Sequence, residues 1–294
     1  MSSIALLGSV EVGLLYALVA LGVYISFRIL RFPDLTVDGS FPLGAAVSAS
    51  LIVAGVDPFL ATLLAFIAGA FAGALTAFLS VRLNILNLLA SILVMVALYS
   101  INLRIMGRPN IALLQDVTIF TYLENDWLSN IYLYPLIFLV IIAISFFALR
   151  YFLSSQIGLA IRASGQNGKM ADAQGINTKT MTIVGLALSN ALVALAGSLL
   201  AQSQGIADVN LGIGVIVIGL ASVIGGESLL APSTIAKALL ACILGSILYR
   251  FAITVALNAD FLGFQAQDLN LITAVLVTIA ILLPQAKFKK AYTK

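Results

Sequence analysis

The chain has 294 residues, of which 62% are hydrophobic and only 9% charged, and its net charge is +3. A soluble domain carries about 25% charged residues, so the composition excludes a soluble fold and indicates an all-α polytopic membrane protein. There is no His and a single Cys, Cys242, which removes the commonest metal ligand and proton shuttle and any intramolecular disulfide. No G-x-x-x-x-G-K-[ST] phosphate loop occurs, so ATP is not bound by that route. No metal-ligating set and no catalytic set is indicated. The opening residues lack the basic region and small-residue cleavage site of a signal peptide.

Crossing about 30 Å of hydrocarbon takes roughly 20 apolar residues. Runs of that kind fall at 4–27, 36–55, 59–81, 87–106, 131–150, 181–203, 211–226, 233–257 and 267–284, which predicts nine segments. The seventh, LGIGVIVIGLASVIGG, is short and glycine-rich and reads as a broken helix. Basic residues set the orientation. With the polar passage at 152–181 and the Lys287, Lys289, Lys290, Lys294 tail inside, twelve of the fifteen Lys and Arg agree with one topology. Arg104, Arg108 and the in-span Arg250 are the exceptions. The N-terminus is then outside and the C-terminus inside. The outer loop from Gly107 to Asn130 holds Phe120, Tyr122 and Trp127, which read as an interfacial aromatic belt or as a landing surface for an outer partner.

The organisation expected is a single transmembrane domain. It comprises a first repeat at 1–106, a linking span at 131–150, a cytoplasmic loop at 152–181, a second repeat at 181–284 and a tail at 285–294. Two polar breaks mark the halves. RFPDLTVDG at 31–39 and GIADVNLG at 205–212 each place an Asp before a Gly-containing apolar segment. Four segments, a linking span and four more give the halves opposite orientations. Inverted repeats with discontinuous helices handle substrate near the bilayer midplane. Asp34, Thr36, Asp38 and Ser40 in the first break, with Asp208 and Asn210 in the second, are the candidate lining of a substrate path. A second reading stays open for them: Asp34 or Asp38 capping the second helix and pairing with Arg28 or Arg31, and a capping role for Asp208 and Asn210. The small-residue runs AGAFAGALTA at 68–77 and ALSNALVALAGSLLA at 187–201 indicate close helix packing.

The polar passage has order written into it. Asn167 can cap a short helix through Lys169, Met170 and Ala173, Gly175 can end it in the left-handed region, and Asn177 or Thr178 can cap the next span. A short amphipathic helix between two spans suits docking to a cytosolic partner; the alternative is a solvated positive loop that only fixes topology.

Gly158, Ala160, Arg162 and Ala163, then Lys169-Met170-Ala171, then Gly175-Ile176-Asn177 resemble the cytoplasmic loop of permease subunits of ATP-binding-cassette importers. The branch resembled is that of the branched-chain amino acid and ribose-type permeases. Tyr16-Ala-Leu-Val-Ala-Leu-Gly22 through Phe32 and Gly39 looks like its first signature, and FRILRFPDLTVDGSFPLGAAV is similar to a group often assigned to aromatic or related amino acids. The chain departs from the pattern at Gly225-Gly226-Glu227-Ser228-Leu229, where a second glycine–serine pair is common, and no role is carried over to Glu227.

The resemblance implies a coupling helix around Lys169–Gln174, with Arg162, Ala163, Lys169, Met170, Ala171 and Gly175 engaging a cytoplasmic ATPase. It implies that ATP is bound by that partner and not by this chain, and that a second permease copy, in a homodimer, and an extracytoplasmic binding protein complete the machine. The expected function is import of a small solute, an amino acid or related compound, across the cytoplasmic membrane by alternating access. An ion-gradient-driven secondary transporter working through Asp34, Asp38 or Asp208 is the alternative.

Overall fold

The computed structural model describes residues 3–124 and 130–257, together with 274, 275 and 278. Apart from those three positions, the predicted segment at 267–284 lies outside the described residues, as do Trp127 and the basic tail. Seven helical stretches among the described residues are long and apolar enough to cross a membrane: Leu6–Ile29, Pro58–Val81, Asn87–Met106, Tyr132–Ser154, Thr178–Gln204, Val209–Leu230 and Ile235–Ala256. The second predicted segment is an apolar helix from Val37 to Val53, 17 residues, at the short end of the lengths that cross a membrane. Before it, Pro33 removes a backbone donor and disfavours helix at Phe32, so the chain runs irregularly until Thr36.

The local starts and stops have identifiable causes. Helix α1 (Ser3–Val23) loosens into a π-helical turn, Tyr24–Ile29, before the break. Helix α2 (Val37–Val53) is followed by α3 (Pro58–Val81), where Pro58 takes the first helical position and Asp57 accepts from the amides of Phe59 and Leu60. Helix α4 (Asn87–Met106) stops at Gly107, whose φ of 66° is left-handed. Beyond it, strand β1 (Asn110–Ala112) and the short helix α5 (Ile119–Leu123) fill the predicted outer loop.

Phe120 does not belong to an interfacial belt, because α5 turns it inward and it is fully buried, while Tyr122 stays exposed against Phe59. Helix α6 (Asn130–Ser154) leads to α7 (Gln156–Gln166), α8 (Gly168–Ala173) and α9 (Thr178–Gln204). Strand β2 (Ile206–Asp208), a 3-10 turn (Val209–Gly212), α10 (Val215–Leu230) and α11 (Ile235–Leu257) complete the described chain.

The contacts divide the chain into two compact units. One comprises residues 22–129 and 151–216, with α2, α3 and α9 at its heart. Small residues permit that packing. A Cβ at Gly44 would collide with the Ala194 carbonyl, and one at Gly197 with that of Phe41, so α2 and α9 cross backbone to backbone. Strands β1 and β2 pair antiparallel, Ile111 opposite Ala207, which ties the ends of α4 and α9 to one face of this unit. The other unit comprises residues 1–21, 130–150 and 217–294. There the second half of α10 packs on α11 in the same way, Gly226 against Ala241 and Gly245 against Ser222, with Cys242 buried among them.

Candidate functional site

The break after the first span builds two different polar environments on opposite sides of the start of α2. The first is closed. Asp34 is 2% exposed, and its carboxylate accepts from the Thr36 amide at 3.0 Å and from Asn190 Nδ2 at 2.7 Å. Ser40 Oγ donates to Asn190 Oδ1, and Asn190 Nδ2 also donates to the Leu186 carbonyl. Thr36 and Thr76 share a hydroxyl–hydroxyl bond of 2.7 Å. Asp34, Thr36 and Ser40 thus meet Asn190 of α9 and Thr76 of α3 in a buried network. A satisfied network of this kind fixes the register of the three helices.

The second environment is open. Asp38 does not cap its own helix. Its Oδ1 accepts from the Ile216 amide at 2.8 Å and its Oδ2 from the Gly214 amide at 3.3 Å, both at the start of α10. The N-termini of α2 and α10 therefore meet, and the carboxylate lies where the α10 dipole favours an anion. This contact requires a glycine at 212, where a Cβ would strike the Asp38 carbonyl.

Beside it lies a cavity of about 360 Å³. Asp38, Gly39 and Pro42 of α2, Met95, Val96, Tyr99 and Asn102 of α4, and Val209, Asn210 and Ile213 of the second break line it. Asn102 is fully buried; its Nδ2 donates to the Gly39 carbonyl at 3.3 Å, and its Oδ1 has no partner among the described residues.

Of the six residues singled out in the breaks, then, Asp38 and Asn210 reach the cavity, and Asp34, Thr36 and Ser40 belong to the network. Asp208 accepts from the Asn210 amide at 2.7 Å and caps the 3-10 turn. The two acids of the first break do different work from the paired reading: Asp34 turns to α9 and Asp38 to α10.

Asn102, Tyr99 and Asn190 were not singled out. Each asparagine is a carboxamide within a predicted span, and that placement was the available signal, since intramembrane polar groups face interiors or cavities.

The polar passage folds locally as its caps require. Asn167 accepts from the Met170 amide and opens α8, Gly175 has φ of 84°, and Asn177 accepts from the Thr180 amide and opens α9. Asp172 accepts from the Thr178 hydroxyl at 2.7 Å, clipping α8 to the start of α9. Lys169 and Met170 are exposed, Ala171 is buried, and Arg162 and Ala163 on α7 are half-buried. Helix α7 itself, capped by Ser155, extends the order of this passage beyond the single short helix expected. Its Gly165 backbone packs on Ile29 at the end of the first span.

Residues 5–283 match the family model described as branched-chain amino acid transport system / permease component. The chain is 44% identical over 264 residues to a tyrosine transport system permease protein of Clostridioides difficile, covering 90% of this chain and 86% of that one. It is 35% identical over 281 residues to an uncharacterised protein of Rickettsia prowazekii, covering 94% and 96%. In architecture it resembles PsaBC from Streptococcus pneumoniae, solved in complex with Fab, with a TM-score of 0.50, 14% identity, and 94% of this chain and 89% of that chain covered. That likeness speaks to fold alone. A family match along nearly the whole chain, with a relative of such identity, means that this multi-pass membrane protein belongs to the branched-chain amino acid transport permease family of ATP-binding-cassette importers.

Proposed function

We propose that the chain imports an amino acid, tyrosine or a close aromatic relative, across the cytoplasmic membrane by alternating access. The observation that carries the substrate class is the 44% identity to the tyrosine permease over most of both chains. The cavity suits that cargo, with apolar walls from Met95, Tyr99 and Ile213 and polar groups at Asp38, Asn102 and Asn210. Pockets for small molecules are built in this way, apolar with a few placed polar groups. Nine segments in two inverted four-segment repeats are the organisation we assign, with the N-terminus outside and the C-terminus inside. The meeting of the α2 and α10 N-termini supports it, because discontinuous helices in transporters meet where substrate is handled.

Helix α8 is the coupling helix in this reading. It is short, exposed at Lys169 and Met170, capped at both ends, and clipped rigidly to a span through Asp172. ATP-driven closure of two ATPase subunits would draw two such helices together in a permease homodimer, and an extracytoplasmic binding protein would deliver the substrate. The test is mild-detergent purification of the tagged chain from its native membrane with mass spectrometry of what accompanies it. An ATPase recovered with the wild type and lost from an Arg162→Glu, Lys169→Glu double variant is expected. Uptake by the purified chain alone under an ion gradient, without ATP, would instead favour a secondary transporter acting through Asp34, Asp38 or Asp208.

A further inference from the structure

We infer that the cavity beside the start of α2 binds the ammonium group of the transported amino acid, with Asn102 Oδ1 and the Asp38 carboxylate as its acceptors. The inference rests on the amino acid reading above and assigns a residue of α4 to specificity.

Its basis is an imbalance in hydrogen bonding. Asn102 Nδ2 is committed to the Gly39 carbonyl, which fixes the amide's orientation and leaves Oδ1 without a donor among the described residues. An unpaired buried acceptor is costly and calls for a donor from elsewhere. Asp38 also lines the cavity, and among the described residues its two oxygens accept only the Gly214 and Ile216 amides. An ionised carboxylate offers about four acceptor sites, so it keeps capacity for more. The cavity lining holds no Lys or Arg to satisfy either group.

Asp38 and Asn102 thus bring acceptors and one negative charge to the lining. A primary ammonium brings three donors and a positive charge, which fits this set. The Asn210 carboxamide, also in the lining, can donate to the accompanying carboxylate, and Met95, Tyr99 and Ile213 offer an apolar surface for a side chain. Sulfur and aromatic groups at positions 95 and 99 suit an aromatic ring.

The test uses the ATPase–permease complex in nanodiscs without its binding protein, so that the permease's own affinity is read. Equilibrium binding of labelled tyrosine is compared with that of 3-(4-hydroxyphenyl)propionate, which lacks only the amino group. The wild type is expected to bind tyrosine at least about tenfold more tightly, the worth of a hydrogen bond to a charged group. Asn102→Leu should lose about tenfold for tyrosine and nothing for the analogue, while Asn102→Asp, which keeps the acceptor, should retain the preference. Equal affinities of the wild type for the two compounds, or no tyrosine binding at all, overturn the inference without any variant. So does an equal loss for both compounds in Asn102→Leu. Proteoliposome uptake with the binding protein present separates the two levels. If no amino acid is taken up, the substrate class falls and this inference with it. If tyrosine is taken up and Asn102→Leu binds it as the wild type does, only this inference falls.

Discussion

Two asparagines in neighbouring environments divide the labour of this permease. Asn190 of α9 uses both ends of its amide, donating to Asp34 and the Leu186 carbonyl and accepting from Ser40, inside close-packed helices. Asn102 of α4 uses only its nitrogen and borders a cavity. Both are fully buried, so burial does not separate them; satisfaction does. A completed network holds helices in place, whereas an incomplete one beside an open space is a place for something to bind.

Asn190→Leu should have the largest effect on stability, because it leaves the Asp34 carboxylate buried without its Asn190 donor. A loss of about 3 kcal/mol is expected, the upper range for losing a hydrogen bond to a charged group, read as a large fall in the melting temperature of the solubilised permease. Gly44→Leu comes next. It forces side-chain volume between α2 and the Ala194 carbonyl, an overpacking cost of about 1–3 kcal/mol, and a melting curve like the wild type's would contradict the backbone crossing.

Asp38→Asn keeps the shape but removes the anion facing the α10 N-terminus, worth about 1 kcal/mol. Uptake should fall further than stability does, since the same group faces the cavity. Asn102→Leu should move stability least, within about 1 kcal/mol: one hydrogen bond is lost and one unpaired acceptor is removed, and these offset. A drop in melting temperature as large as that of Asn190→Leu would erase the distinction between the two residues.

The sequence carried the local signals of this fold and little of its long-range pairing. The break at Pro33, the caps at Asn167 and Asn177 and the left-handed Gly175 were legible, because each depends on residues within one turn. The apolar runs marked the seven helices long enough to span, while α2, at 17 residues, is shorter than they are. What could not be read was which partner each acid would take. Asp38 reaches amides 176 and 178 residues away, and Asp34 an asparagine 156 residues away. Proximity in sequence suggested Arg28 or Arg31 instead. Asn190 lay in a run whose small residues drew attention to packing alone. Phe120 resembled an interfacial aromatic because its loop gave no sign that α5 would turn it inward.

The most direct test of this division is ATP-driven tyrosine uptake by Asn102→Leu in proteoliposomes, with binding protein and ATPase present and folded permease matched to the wild type. Uptake below about a tenth of the wild-type rate at limiting substrate, with the melting temperature nearly unchanged, is expected from the loss of one hydrogen bond to a charged group. Wild-type uptake at the same substrate concentration would show that the unsatisfied amide does nothing for transport.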